Sequence, residues 1–307
     1  MKFIHRKKME EGIPVLVCEE VPEDRGLLRE EINRLGYALR ENSQIDVDIF
    51  AKSQFKGPVE EAAGFLTEAL MQGAYRFGKK ALGVDSSKNL YELRDLLATE
   101  PDITVYLISS GEIEKAVENA EALGRCRNYA RMLGDLPANY LTADDLCLYA
   151  EKLVRKKPAL SLRIYRNQEL RKMGCGGILA VNQASAKEAA LLHLRYEGGH
   201  KGSVTALVGK GIMFDSGGMH LKAMGDMEGM KYDMCGAADV LGLMEYAADT
   251  AYAFPLEGVI PLAENAVGEN CVRMGDVISM LSGRTVEVYN TDAEGRLLLG
   301  DALAFAA

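Results

Sequence analysis

Asp292 and Glu294 stand two positions apart in the stretch N-T-D-A-E-G-R-L, residues 290 to 297, and Arg296 lies two further on. In an extended or loop backbone, side chains two apart point the same way, so both carboxylates can converge on one point. Converging carboxylate oxygens suit a hard divalent cation. A helix-capping reading is open at the same residues: Asp292 as the N-cap of the apolar segment that follows, and Glu294 facing the positive end of its dipole. A second stretch, S-V-T-A-L-V-G-K-G-I-M-F-D-S-G-G-M-H-L-K, puts Lys210 at the end of an apolar run, Asp215 in a tight D-S-G-G turn and Lys222 beyond it. Its glycines let backbone approach a ligand closely. Neither G-x-x-x-x-G-K-[ST] nor a correctly spaced G-x-G-x-x-G is present, which argues against a phosphate loop. In M-K-Y-D-M-C-G-A-A-D, Asp233 precedes a small-residue helix start, where an N-cap is again an open reading.

Gathered in one pocket, Asp215, Asp233, Asp292 and Glu294 would bring four negative charges together, which is very unfavourable at low dielectric. Two divalent cations would neutralise them, and a pair about 3.5–4 Å apart can hold a bridging hydroxide and polarise a carbonyl. Lys210 and Lys222 beside such cations would stabilise charge, and a lysine with a neutral amine can itself be a ligand. Asp226 and Glu228 read as solvated, and Asp239 and Asp301 as helix-borne, so all four are left out of the site.

The elements that must position these residues alternate. Apolar runs predict strands over 13–18, 45–50 and 103–108, with helices over 23–42, 59–77 and 90–99 between them. This first part reads as a small α/β domain. A charged helix over 112–133 ends at Gly134, before the turn-like D-L-P-A-N-Y-L, which places the domain junction between 133 and 134. Beyond it, T-A-D-D resembles a capping box and opens a helix from Thr142 to about 156. Strands are expected over 160–165, 177–182, 190–196, 203–210, 256–263 and 285–290, and helices over 168–173, 236–248 and from Arg296 onward. Strands alternating with helices imply a largely parallel or mixed sheet covered on both faces, an α/β/α arrangement. Both acidic stretches then fall in loops at the carboxyl ends of strands, where such sheets do their chemistry.

Across 307 residues, 48% hydrophobic and 26% charged, the chain can bury a sizeable core. A net charge of −9 argues against nucleic acid or an anionic membrane as the main partner, since phosphate binding draws on clustered Lys and Arg. The basic N-terminus M-K-F-I-H-R-K-K-M-E-E-G lacks the apolar core of a signal peptide, and no apolar run spans a bilayer. The six cysteines are dispersed without C-x-x-C, and the four histidines form no H-E-x-x-H. A reduced, cytoplasmic setting is expected, and carboxylates must carry any metal.

The segments V-G-K-G-I-M-F-D-S-G-G-M-H-L-K, M-K-Y-D-M-C-G-A-A and N-T-D-A-E-G-R-L resemble those of the leucine aminopeptidase family, also called cytosol aminopeptidases, which are two-metal exopeptidases. The resemblance is strong from about Arg127 onward and weak before it. It implies that Lys210, Asp215, Asp233 and Glu294 ligate the tighter metal and that Asp215, Asp292 and Glu294 hold the more exchangeable one, as Mn2+ or Zn2+. It further implies that hydroxide bridging the metals attacks the scissile carbonyl while Lys222 stabilises the oxyanion. Arg296 would hold a bicarbonate ion that shuttles the proton. Asp233 would bind the free amino group of the peptide, and Met230 would line the pocket for the first side chain. A homo-hexamer is implied as well. Three residues, His220, Ala223 and Asp239, depart from those usual in the family. Family members continue well beyond the signature helix, so the catalytic domain, 134–307 after an N-terminal domain over 1–133, is expected to be C-terminally incomplete. A rival expectation is a catalytically silent relative acting as an assembly or DNA-binding scaffold.

Overall fold

A computed structural model of the chain describes residues 1–6, 15–16, 25–39, 44–48, 58–82, 88–108, 112–200 and 202–307. It divides into two compact units, one of residues 1–84 with 95–128 and one of 85–94 with 129–307. The elements of the first stretch of chain are β1 (Lys2–Arg6), β2 (Val15–Leu16), α1 (Arg25–Ala38), β3 (Gln44–Asp48), α2 (Val59–Ala74), β4 (Arg76–Phe77), α3 (Leu90–Leu97), β5 (Ala98–Thr99), β6 (Thr104–Ile108) and α4 (Glu114–Asp135). In the first unit β1-β6-β3-β2 form an all-parallel sheet. Parallel strands need covering helices, and Ile32 of α1 and Ala62, Ala63, Ala69 and Leu70 of α2 share one buried cluster with Val105 and Leu107 of β6. The outer ends of the expected strands at 13–18 and 45–50, and of the expected helix at 23–42, lie outside the described residues.

The second unit continues with α5 (Ala143–Lys156), β7 (Leu160–Arg166), α6 (Asn167–Met173), α7 (Gly176–Asn182), β8 (Ala190–Tyr196), β9 (Thr205–Val208), β10 (Gly211–Asp215), α8 (Met224–Met227), α9 (Cys235–Asp249), β11 (Leu256–Asn265), β12 (Val277–Ser279), β13 (Thr285–Glu287) and α10 (Gly295–Ala306). The expected capping box starts α5: Thr142 N donates to Asp145 Oδ2 at 2.9 Å while Asp145 N donates to Thr142 Oγ1 at 3.4 Å. The central sheet is mixed. β11 pairs antiparallel with β8, β8 antiparallel with β7, and both β9 and β10 lie parallel along the other side of β11. Val259 and Ala263 of β11 pack in one cluster with Ile178 and Val181 of α7 and Leu297, Leu298 and Ala302 of α10. The preceding position, Gly258, faces Val240 and Met244 of α9 instead. Period-2 alternation thus clothes both faces of the sheet with helices.

Two expectations are corrected. The run 177–182 is α7, not a strand. Its apolar composition fits either state, but the backbone N–H of Ile178 donates at 3.0 Å to Asp301 Oδ2, a carboxylate on α10 that satisfies the helix N-terminus from afar. The expected strand at 203–210 is the shorter β9, which stops at Val208, and a further strand not expected from the sequence, β10, starts at Gly211. The carbonyl of Lys210 accepts from Ala237 N at 2.9 Å at the start of α9, and Ile212 N donates to Asp233 O at 3.3 Å. Lys210 thus lies between the two strands, in the ladder of neither.

Candidate metal centre

Three segments bring the charged side chains together. β10 ends at Asp215, the turn before α9 carries Asp233, and a 3₁₀ turn over Thr291–Ala293 leads into α10 with Asp292 and Glu294. The capping readings go to other residues. Asn290 caps the 3₁₀ turn, its side chain accepting from Asp292 N at 2.8 Å. The N-caps of α9 and α10 are Met234 and Glu294, and neither makes a side-chain capping bond. The carboxylates of Asp233, Asp292 and Glu294 are therefore left for the centre.

Each lysine clasps two of them. Lys210 Nζ sits 2.6 and 2.8 Å from the two oxygens of Asp233 and 2.9 Å from Glu294 Oε1. Lys222 Nζ lies 2.9 Å from Asp215 Oδ2 and also pairs with Asp292 Oδ1. One oxygen each from Asp215, Asp292 and Glu294 fall within 4.8 Å of one another. Asp215 Oδ1 is spoken for, accepting from Gly217 N at 2.9 Å and Asn265 Nδ2 at 2.7 Å, so its Oδ2 faces the centre. Gly217 and Gly218, with φ of 87° and 65°, take the left-handed backbone that lets the D-S-G-G turn fold back on Asp215.

Burial is the main influence on both Glu294 and Asp233, pushing their carboxyls above the ordinary range, with Lys210 pulling the other way. Burial also opposes charge on Lys210 and Lys222. Their hydrogen bonds to the carboxylates outweigh it, and both amines are held above the ordinary lysine value.

Four carboxylates against two ammonium groups leave the centre two charges short of neutrality. Glu294, 3% exposed, keeps Oε2 buried without a hydrogen-bond partner among the described residues. An all-carboxylate oxygen set with an unpartnered buried oxygen fits a hard divalent cation.

Of the residues expected from sequence, Lys210, Asp215, Lys222, Asp233, Asp292 and Glu294 meet here. Met230 is half-buried in the 3₁₀ turn Met230–Tyr232 that leads to Asp233. Arg296 is exposed on the first turn of α10. Asp226, Glu228 and Asp239 are exposed, in keeping with their exclusion. Asp301 is fully buried and binds the backbone of α7 and, at 2.8 Å, Leu281 N. Sequence reasoning missed Asn265 and Thr291, which are buried behind the ligands. The one signal for Thr291 was its place inside N-T-D-A-E-G-R-L, and Asn265 offered only a polar residue closing an apolar strand.

A family model described as the catalytic domain of the cytosol aminopeptidase family matches residues 128–307. A probable cytosol aminopeptidase of Chlorobaculum tepidum is 38% identical over 275 residues, 85% of this chain and 51% of that protein. Another, from Legionella pneumophila, is 41% identical over 196 residues, 64% of this chain and 41% of that protein. Among solved structures, the apo leucyl aminopeptidase of Trypanosoma cruzi superposes with a TM-score of 0.75 at 27% identity, covering 96% of this chain and 53% of that one. The bottromycin maturation enzyme BotP in complex with Mn gives 0.77 at 28%, covering 91% and 56%. The chain spans about half the length of the curated relatives it matches. Among the described residues no helix is long and apolar enough to cross a membrane.

Proposed function

The chain belongs to the cytosol aminopeptidase family, and on that premise we propose that it is a metal-dependent exopeptidase removing the first residue, leucine or another apolar one, from peptides with a free N-terminus. The observation that carries the reading is the convergence of Asp215, Asp233, Asp292 and Glu294 around two lysines, with a buried Glu294 oxygen unpartnered. In this assignment Lys210, Asp215, Asp233 and Glu294 hold one divalent cation, and Asp215, Asp292 and Glu294 hold the other. The two cations, when bound, supply Lewis acidity: they offset the carboxylate charge, lower the pKa of water and polarise the scissile carbonyl.

The chain's own residues do the rest. Lys222 Nζ, held charged by Asp215 and Asp292, is suited to stabilise negative charge on the carbonyl oxygen and poorly suited to accept a proton. Lys210 Nζ would serve as a ligand only after releasing its proton to water, and its fork on Asp233 and Glu294 keeps those carboxylates aimed at the centre. The Asp233 carboxylate, partly open to solvent, pairs with the peptide's α-ammonium. A blocked N-terminus has no charge to offer it, so the enzyme is confined to the first residue. Met230, immediately upstream, contributes to the wall against which the first side chain packs. Arg296 is given a bicarbonate ion that carries the proton between water and leaving amine, since the assignment commits all four carboxylates of the centre to the cations. A homo-hexamer is the assembly to look for by light scattering.

Manganese is the cation to load first, because BotP binds Mn in its solved complex. The test is hydrolysis of leucine p-nitroanilide and of its N-acetylated form by the manganese-loaded chain. Turnover of the free-amine compound alone is expected. Equal cleavage of both would end the exopeptidase reading.

A further inference from the structure

One buried side chain joins the loops that carry the shared ligands. Thr291, 5% exposed, immediately precedes Asp292. Its hydroxyl donates to Gly217 O at 2.7 Å and accepts from His220 N at 2.9 Å. Its backbone N–H donates to His220 Nδ1 at 3.1 Å, and its carbonyl accepts from Asn265 Nδ2 at 3.1 Å.

Every one of these links ends close to a charged group of the centre. Gly217 donates to Asp215 Oδ1, and Asn265 spends its other amide hydrogen on that same oxygen. His220 is two residues from Lys222, whose backbone N–H returns to Ser216 O at 3.0 Å. A Cβ on Gly218 would lie 3.2 Å from Thr291 Oγ1, so the D-S-G-G turn is open where the hydroxyl enters.

We infer that Thr291 is a positioning residue which, through its hydroxyl, sets the separation of Asp215 and Asp292 and with it the affinity for the cation they share. The inference rests on the metal-site part of the proposed function. Replacing the hydroxyl by a methyl of the same size would strand Gly217 O and His220 N in a buried place, and the 216–222 loop and the 290–294 loop would part to let water reach them. Removing such an outer partner of a metal ligand typically costs about 10- to 100-fold in metal affinity.

The experiment is calorimetric titration of the metal-free chain with Mn2+, with no hydrolysis involved. Thr291→Val is expected to weaken binding by about 10-fold or more, and Thr291→Ser, which keeps the oxygen and drops the methyl, to restore it to within about 3-fold of the parent. A purely structural role would instead lower thermal stability in the valine variant and leave Mn2+ binding unchanged. Valine binding Mn2+ like the parent, or serine as weak as valine, overturns the inference. Should the valine variant not fold, Thr291→Ala, which removes the same hydroxyl without putting a methyl in its place, carries the test: several-fold weaker binding is expected, and unchanged binding overturns it. A parent that binds Mn2+ in this Thr291-dependent way yet hydrolyses no peptide would refute the proposed activity and leave this inference standing. A parent that binds no Mn2+ would sink both.

Discussion

Gly295 stands on the first turn of α10 with its Cα against the Lys210 side chain, and Gly295→Ala separates the site from the fold. A methyl added there would lie 2.5 Å from Lys210 Cε and 2.8 Å from Nζ. Ordinary carbon contacts begin near about 3.5 Å, so the end of Lys210 must retreat by about 1 Å. Its bonds to Asp233, now 2.6 and 2.8 Å, and to Glu294, now 2.9 Å, would lengthen beyond the hydrogen-bonding range. Hydrogen bonds to charged groups contribute about 1.5–3 kcal/mol when buried. Here the lysine is 30% exposed, so water recovers part of that, and alanine in place of glycine returns up to about 1 kcal/mol of helix propensity. Stability therefore changes little while ligand aim suffers. The melting temperature of the metal-free variant is expected within about 4 °C of the parent. Affinity for Mn2+ by calorimetry, and turnover of leucine p-nitroanilide, are expected to fall at least about 10-fold, equivalent to about 1.4 kcal/mol. Unchanged affinity and turnover would show that the observed Lys210 position is not required, and the reasoning would fail.

Lys222→Ala should leave Mn2+ bound while turnover falls by about 100-fold or more, as for the loss of one oxyanion donor; metal content by atomic absorption beside initial rates checks this. Asp292→Ala should lower metal content, whereas Arg296→Ala should slow turnover with metal retained, and equal metal loss in both would dissolve that division of roles. Burial pushes the thiols of Cys147 and Cys175 up to about 12. Their thiolate fraction at pH 8 is correspondingly small, so alkylation mapped by mass spectrometry should spare both in the native chain and modify both after denaturation. Asp301→Ala should destabilise the second unit by several kcal/mol, because it strands the buried N–H groups of Ile178 and Leu281 at about 1–3 kcal/mol each; urea unfolding measures it.

Where a signal and its partner are neighbours in sequence, the chain alone was enough. The Thr142 and Asp145 capping box, the β8 and β11 runs, and the helix expected from Arg296 were each legible because their hydrogen bonds close locally or their apolar pattern repeats at a fixed period. The charged residue types of the centre were legible for the same reason, since Asp292 and Glu294 lie two apart and Lys210, Asp215 and Lys222 share one short segment. Tertiary structure decided the rest. The run 177–182 is helical because Asp301, 123 residues from Ile178, accepts its N–H. β9 and β10 separate because the start of α9 binds the carbonyl between them. Asp215 is aimed by Asn265, 50 residues away. These are long-range hydrogen bonds, from buried polar side chains and from the backbone of a helix start distant in sequence. No local pattern encodes such a bond, because its energy depends on desolvation and partners that exist only once the strands have been laid side by side.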